Sequence, residues 1–158
     1  VENPYWSMTK GEMASACANP TLLRALAPHA LSCAHPSNAR HLGIKGRGIE
    51  QCGYWLPCLI RRAALDAAFG PGNDATQYTL SDLRAHPLGT RESNGQQVRS
   101  FQFAIERLRA APHLAKVLIH KPGSLADEAS RLDQLAAVYQ RGLAEVGQLI
   151  EGVETAPD

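Results

Sequence analysis

QCGYWLPCLIRRAALDAAFG, residues 51–70, holds two cysteines, an aromatic pair, a helix start and a twin arginine in one stretch. Cys52 and Cys58 flank Gly53 and Pro57, and a tight turn between them brings both thiols toward one point, so a metal site is the first expectation. Pro57 suits the first turn of a helix, because its fixed φ is already helical and its missing N–H costs nothing there. Leu59, Ile60, Ala63, Ala64, Leu65 and Phe69 follow at helical spacing until Gly70-Pro71-Gly72 stops the run. Cys58 then lies in the first helical turn, where the helix dipole favours a thiolate. Arg61 and Arg62 open the second turn, one expected to face inward and pair, the other to be solvated.

Working outward, Thr9 and Glu12 form a capping-box pair that predicts a helix from about Lys10 to Ala18. Asn19-Pro20 starts a second short helix carrying Leu22, Leu23 and Leu26, ended by Pro28. From Ala30 to Cys52 the chain reads as a loop with Cys33, His35, His41 and a run of glycines and basic residues, Arg40 to Gly48. Such a loop offers ligands and positive charge, but it matches no fixed phosphate-binding spacing. Beyond Gly72, Gln77 to Leu80 reads as extended, and Ser81 caps a brief helix over Asp82 to Ala85. Gly89 to Gly95 reads as loose, and Val98, Phe101, Ile105 and Leu108 mark a helix up to Ala111. His113 to His120 is a helical turn or a strand. Ser124 is expected to cap a last helix of about eight turns, with Leu125, Leu132, Tyr139, Val146 and Val153 along one seam, packed on the helix before it or on a second copy. Thr155 to Asp158 reads as a tail.

The 158 residues carry 16 basic and 15 acidic side chains, which argues against nucleic acid as a partner. No apolar run approaches the ~20 residues of a membrane span, no secretory start is present, and four cysteines are too few for a disulfide scaffold, so the expectation is a cytoplasmic protein with no membrane partner. The chain opens on Val1 rather than methionine, and we expect a piece of a longer protein.

NPYWSMTKGEM, the ALSCAHP around Cys33 and CGYWLPCLIRRAAL, together spanning residues 3–65, make the chain resemble the C-terminal part of 7-cyano-7-deazaguanine synthases of queuosine biosynthesis. The likeness is to the divergent synthase-like branch of the Qat antiviral defence system. It implies a mainly α region with a cysteine-containing loop, residues 1–72, followed by a helical extension, 73–158, that resembles nothing named. A missing N-terminal part would be an α/β ATP-pyrophosphatase domain of Rossmann-like form. The activity implied is that of an ATP-dependent ligase that adenylates and amidates a deazapurine carboxylate. Cys33, Cys52 and Cys58 match three of the family's four zinc ligands, Lys10 the lysine of its Thr-Lys pair, and Arg61 the arginine three after the last ligand. Lys10 and Arg61 are thereby the implied substrate contacts, and Arg61 the inward-facing member of its pair. Other defence-system proteins are the implied partners.

The sequence departs from that pattern twice. Trp55 stands at the third ligand position and has no lone pair for a metal, and no Ser-Gly-Gly-x-Asp-Ser loop for ATP occurs in the chain. The chain alone is therefore not expected to activate a carboxylate, and ATP would be held by the missing domain or a partner chain. A fourth zinc ligand could come from His35, His41 or Cys17; otherwise Trp55 fills the metal's place and the thiols act as small buried hydrophobes. A different reading of the same residues is a stand-alone metal-binding interaction module without catalysis.

Overall fold

The computed structural model describes residues 3–34 and 50–157, and within these the chain is mainly helical. Helix α1 spans Lys10–Ser15, α2 Pro20–Leu26, α3 Leu56–Phe69, α4 Ser93–Ala110, α5 Ala115–Leu118 and α6 Leu132–Leu149. Two short strands, β1 at Leu88–Gly89 and β2 at Thr155–Ala156, pair in parallel.

Helix α3 packs against both α1 and α6, and α6 also packs on α4 and α5. The apolar spacing read from the sequence buries Cys58, Leu59, Ala63, Ala64 and Leu65 of α3, the alanines presenting little bulk to its neighbours. The main core joins these to Leu83, Leu88, Val98, Val146 and Leu149, so it draws on residues from both sides of position 72. A second cluster, Leu108, Ala115, Ala136 and Leu143, is shared by α4, α5 and α6.

The capping box is formed: Glu12 N–H donates to Thr9 Oγ1 at 3.0 Å and Thr9 N–H to Glu12 Oε2 at 2.8 Å. Asn19 likewise accepts from Leu22 N–H at 2.9 Å, with Pro20 in the first turn. Helix α6 grips the start of α1, because Arg141 holds Glu12 and the Ser7 carbonyl while Thr9 Oγ1 donates to Glu145. Gly11 leaves room for that carboxylate, since a Cβ there would lie 2.6 Å from Glu145 Oε1.

The Arg141 guanidinium, with the Thr9 N–H, holds the Glu12 carboxyl below its ordinary value of about 4.5. A depressed carboxyl stabilises the fold above its unfolded pKa and stops doing so as pH falls through the folded one. Glu12→Gln is therefore expected to flatten the stability loss below about pH 4.5. The pair is partly exposed, so the effect in urea melts at pH 7 and pH 3 should stay under about 1 kcal/mol.

Four expectations are corrected. The last helix begins at Leu132, not near Ser124: the Ser124 hydroxyl accepts from Ala126 N–H two residues on, a 3-10 turn covers Ala126–Arg131, and Glu128 leaves helical geometry at φ −111°. Thr155 and Ala156 form a strand rather than part of a tail, with Leu88 opposite Thr155 and Gly89 opposite Ala156, and Gln102 bonding the Val153 carbonyl and Thr155 hydroxyl. Gly89 to Gly95 is not loose, for it runs from β1 through a turn into α4. Asp82 to Ala85 is a turn in which Arg84 reaches the carbonyls of Leu149 and Glu151 at the end of α6, each at 2.8 Å, rather than a helix. His113 to His120 resolves into a 3-10 turn, Pro112–Leu114, and α5. No described helix is long and apolar enough to cross a membrane.

Candidate metal centre

Cys58 is positioned by α3, whose first turn contains Pro57, and Cys52 by the turn before it. Gly53 makes that turn with φ +89°, and a Cβ there would lie 2.6 Å from the Leu80 carbonyl oxygen, so only glycine fits without strain. The segment is fastened laterally by Thr79 N–H to Gln51 O at 2.9 Å and Leu80 N–H to Cys52 O at 3.0 Å. Cys33 arrives from the other side, after the 3-10 turn Ala27–His29.

The three sulfurs of Cys33, Cys52 and Cys58 lie within 4.8 Å of one another, and the residues are 8%, 1% and 0% exposed. Cys52 Sγ is 3.6 Å from Cys58 Sγ. A tetrahedral zinc with Zn–S bonds of about 2.3 Å places its sulfurs about 3.8 Å apart, so the Cys52–Cys58 spacing and the softness of the three thiols fit such an ion. Three thiols buried at one point could hold a metal ion. The hydrogen bond from Cys52 holds the Cys58 thiol below its ordinary value despite burial, with the Gly53 N–H adding to it, and pushes Cys52 far up. The first cause of the Cys58 shift is thus its neighbouring thiol.

Trp55 is half-buried with its ring against the main core, and its backbone N–H donates to Cys52 Sγ at 3.3 Å. Because the three sulfurs still meet, the ring does not stand between them. Cys17 is placed elsewhere, with its sulfur 3.6 Å from the Asn19 carbonyl and outside the cluster. His35, His41 and the basic loop from Arg40 to Gly48 lie outside the described residues.

Arg61 and Arg62 are both half-buried, which corrects the expectation that one is solvated. Arg61 donates to the Ala27 carbonyl and, at 3.3 Å each, to the hydroxyls of Ser32 and Thr76, binding the Cys33 segment to α3; its Nε has no hydrogen-bond partner among the described residues. Arg62 donates to the carbonyls of Gly53, Leu80 and Ser81 at 3.2, 3.0 and 2.7 Å and lies over the Tyr78 ring. It thereby braces the cysteine turn. Two i, i+1 side chains leave a helix about 100° apart, and here protein covers both directions. Lys10 is exposed at the first position of α1.

Gln51 is the residue that sequence reasoning passed over. It is 3% exposed, donates from Nε2 to the Ala30 carbonyl at 2.7 Å, and its Oε1 lies 3.5 Å from Cys58 Sγ. Its place directly before Cys52 was the one available signal. Clefts of about 630, 620 and 530 Å³ elsewhere on the molecule are lined by none of the three cysteines. No protein-family profile, curated protein or solved structure matches this chain.

Proposed function

We propose that Cys33, Cys52 and Cys58 hold a structural zinc ion in the C-terminal portion of a protein similar to 7-cyano-7-deazaguanine synthases, serving antiviral defence as in the Qat system. The observation that supports this reading is the meeting of three buried thiols, from two separate segments, at positions where the resemblance implies ligands. A bound zinc would tie residue 33 to the 52–58 turn, joining two segments distant in sequence. Closure of the site to solvent favours a structural ion over a catalytic one, which keeps an open position. A reducing cytoplasm is the compartment in which such thiols remain ligands.

The parent reaction in this reading is ATP-dependent. A deazapurine carboxylate oxygen attacks the α-phosphorus of ATP and pyrophosphate leaves; ammonia then attacks the acyl carbon and AMP leaves, giving the amide, and a second adenylation on the amide oxygen lets that oxygen leave with AMP, and a proton from nitrogen, to give the nitrile. ATP belongs to an N-terminal region or partner chain, and this chain contributes a wall of the substrate pocket. Lys10, exposed at the start of α1, is the candidate for a phosphate or carboxylate contact. The terminal nitrogens of Arg61 are engaged within the protein, and its part in substrate binding rests on the resemblance alone.

Elemental analysis of the chain purified under reducing conditions is expected to return about one zinc per chain, and no metal would overturn the centre. With an ATP-binding region restored, AMP release should depend on a carboxylated deazapurine. Metal without that activity would leave the stand-alone binding module.

A further inference from the structure

The thiols supply three donors, and the amide oxygen of Gln51 lies beside one of them, 3.5 Å from Cys58 Sγ. Its amide cannot be turned round: the Ala30 carbonyl 2.7 Å away only accepts, so Nε2 must face it and Oε1 faces Cys58 Sγ. Among the described residues that buried oxygen has only long contacts, Ser32 N–H at 3.4 Å and Cys58 Sγ at 3.5 Å. A tetrahedral zinc with bonds of about 2.3 Å to sulfur and about 2.1 Å to oxygen has edges of about 3.8 Å between sulfurs and about 3.6 Å between sulfur and oxygen. The observed separations, 3.6 Å for Cys52 to Cys58 and 3.5 Å for Cys58 to Gln51 Oε1, match one edge of each kind.

We infer that Gln51 Oε1 is the fourth metal ligand, so that the centre is a three-thiolate, one-amide site in which Gln51 replaces the donor missing at Trp55. This rests on the metal reading above and goes beyond it. A neutral oxygen in place of a fourth thiolate leaves the buried centre with one negative charge fewer, which lowers the cost of holding it out of water. It also explains why Trp55 is compatible with a metal site: that position supplies a backbone N–H to Cys52 instead of a ligand.

The amide has two ends, and they separate a ligand from a brace. A brace acts through Nε2 on Ala30, a ligand through Oε1. The test is cobalt(II) titration of the reduced full chain, followed by its visible ligand-field spectrum, in wild type, Gln51→Ala, Gln51→Glu and the double variant His35→Ala/His41→Ala. Gln51→Ala should weaken cobalt binding by about 10-fold or more and shift the ligand-field bands. Gln51→Glu, which keeps an oxygen at the same reach but loses the donor to Ala30, should retain binding near wild type. The histidine variant should leave the spectrum unchanged. Equal weakening in both glutamine variants with unshifted bands would reduce Gln51 to a brace and overturn the inference, as would a spectrum that changes only when the histidines are removed. If Gln51→Ala does not fold, Gln51→Glu against wild type decides the matter alone. Failure of the wild type to take up cobalt or zinc would instead sink the metal centre itself.

Discussion

Cys52→Ser is expected to leave the chain without zinc and to lower its melting temperature by about 5–10 °C when measured in the presence of zinc. A ligand bound only by the folded state contributes about 2.7 kcal/mol when its free concentration is about 100 times Kd, and each kcal/mol is worth about 2–4 °C in a chain of this size. The substitution is nearly isosteric, and the serine hydroxyl can still accept from the Trp55 N–H that now bonds Cys52 Sγ at 3.3 Å. The metal-free protein should therefore change little. Melts with added zinc and with a chelator separate the two contributions: the variants should differ with zinc and converge without it. An equal drop under both conditions would assign the loss to packing and remove the metal from the account.

Gly95→Ala is expected to cost about 3 kcal/mol, at the upper end of what overpacking does. Gly95 lies in the first turn of α4, where alanine would ordinarily stabilise by about 1 kcal/mol. Here a Cβ would sit 2.2 Å from the Gly89 carbonyl oxygen and 2.7 Å from that of Leu88, and neither is a side chain that can turn away. Relief requires α4 to move off β1, which loosens the pairing with Thr155 and Ala156. Gly142→Ala is the matched control, because the nearest atom to its Cβ is Thr9 Cγ2 at 4.0 Å. It should stabilise by up to about 1 kcal/mol. Urea denaturation of both variants checks the sign as well as the size, and similar midpoints would refute the contact argument.

What could be read from the sequence was what is set within a few residues. Thr9 with Glu12, Asn19 with Pro20, and Pro57 before an apolar-periodic run each specify a helix start through bonds or dihedrals that close locally. Ser124 shows where such reasoning fails. A serine can bond the N–H two residues on as readily as cap a helix, and the departure of Glu128 from helical geometry decided between them. Strands of two residues have no period to detect, so β1 and β2 depend on partners far away in the chain. The same holds at the site. The spacing of Cys52 and Cys58 suggested a meeting of thiols, but bringing Cys33 to them depends on Arg61 reaching Ala27 and Ser32 across the fold. Gln51 could not be assigned a part until the position of the Ala30 carbonyl was known.

The pairing of β1 with β2 also governs when the protein can become itself. Val153 belongs to the main core, and Leu88 N–H bonds the Glu154 carbonyl at 2.9 Å while Thr90 N–H bonds that of Ala156 at 2.9 Å. Until residues 153–156 have emerged from the ribosome, Leu88 has no strand beside it and α6 has no anchored end. The cysteine turn, by contrast, is complete once Leu80 is free to pair with it. During synthesis the three thiols can therefore meet before the helical layer that covers them is closed.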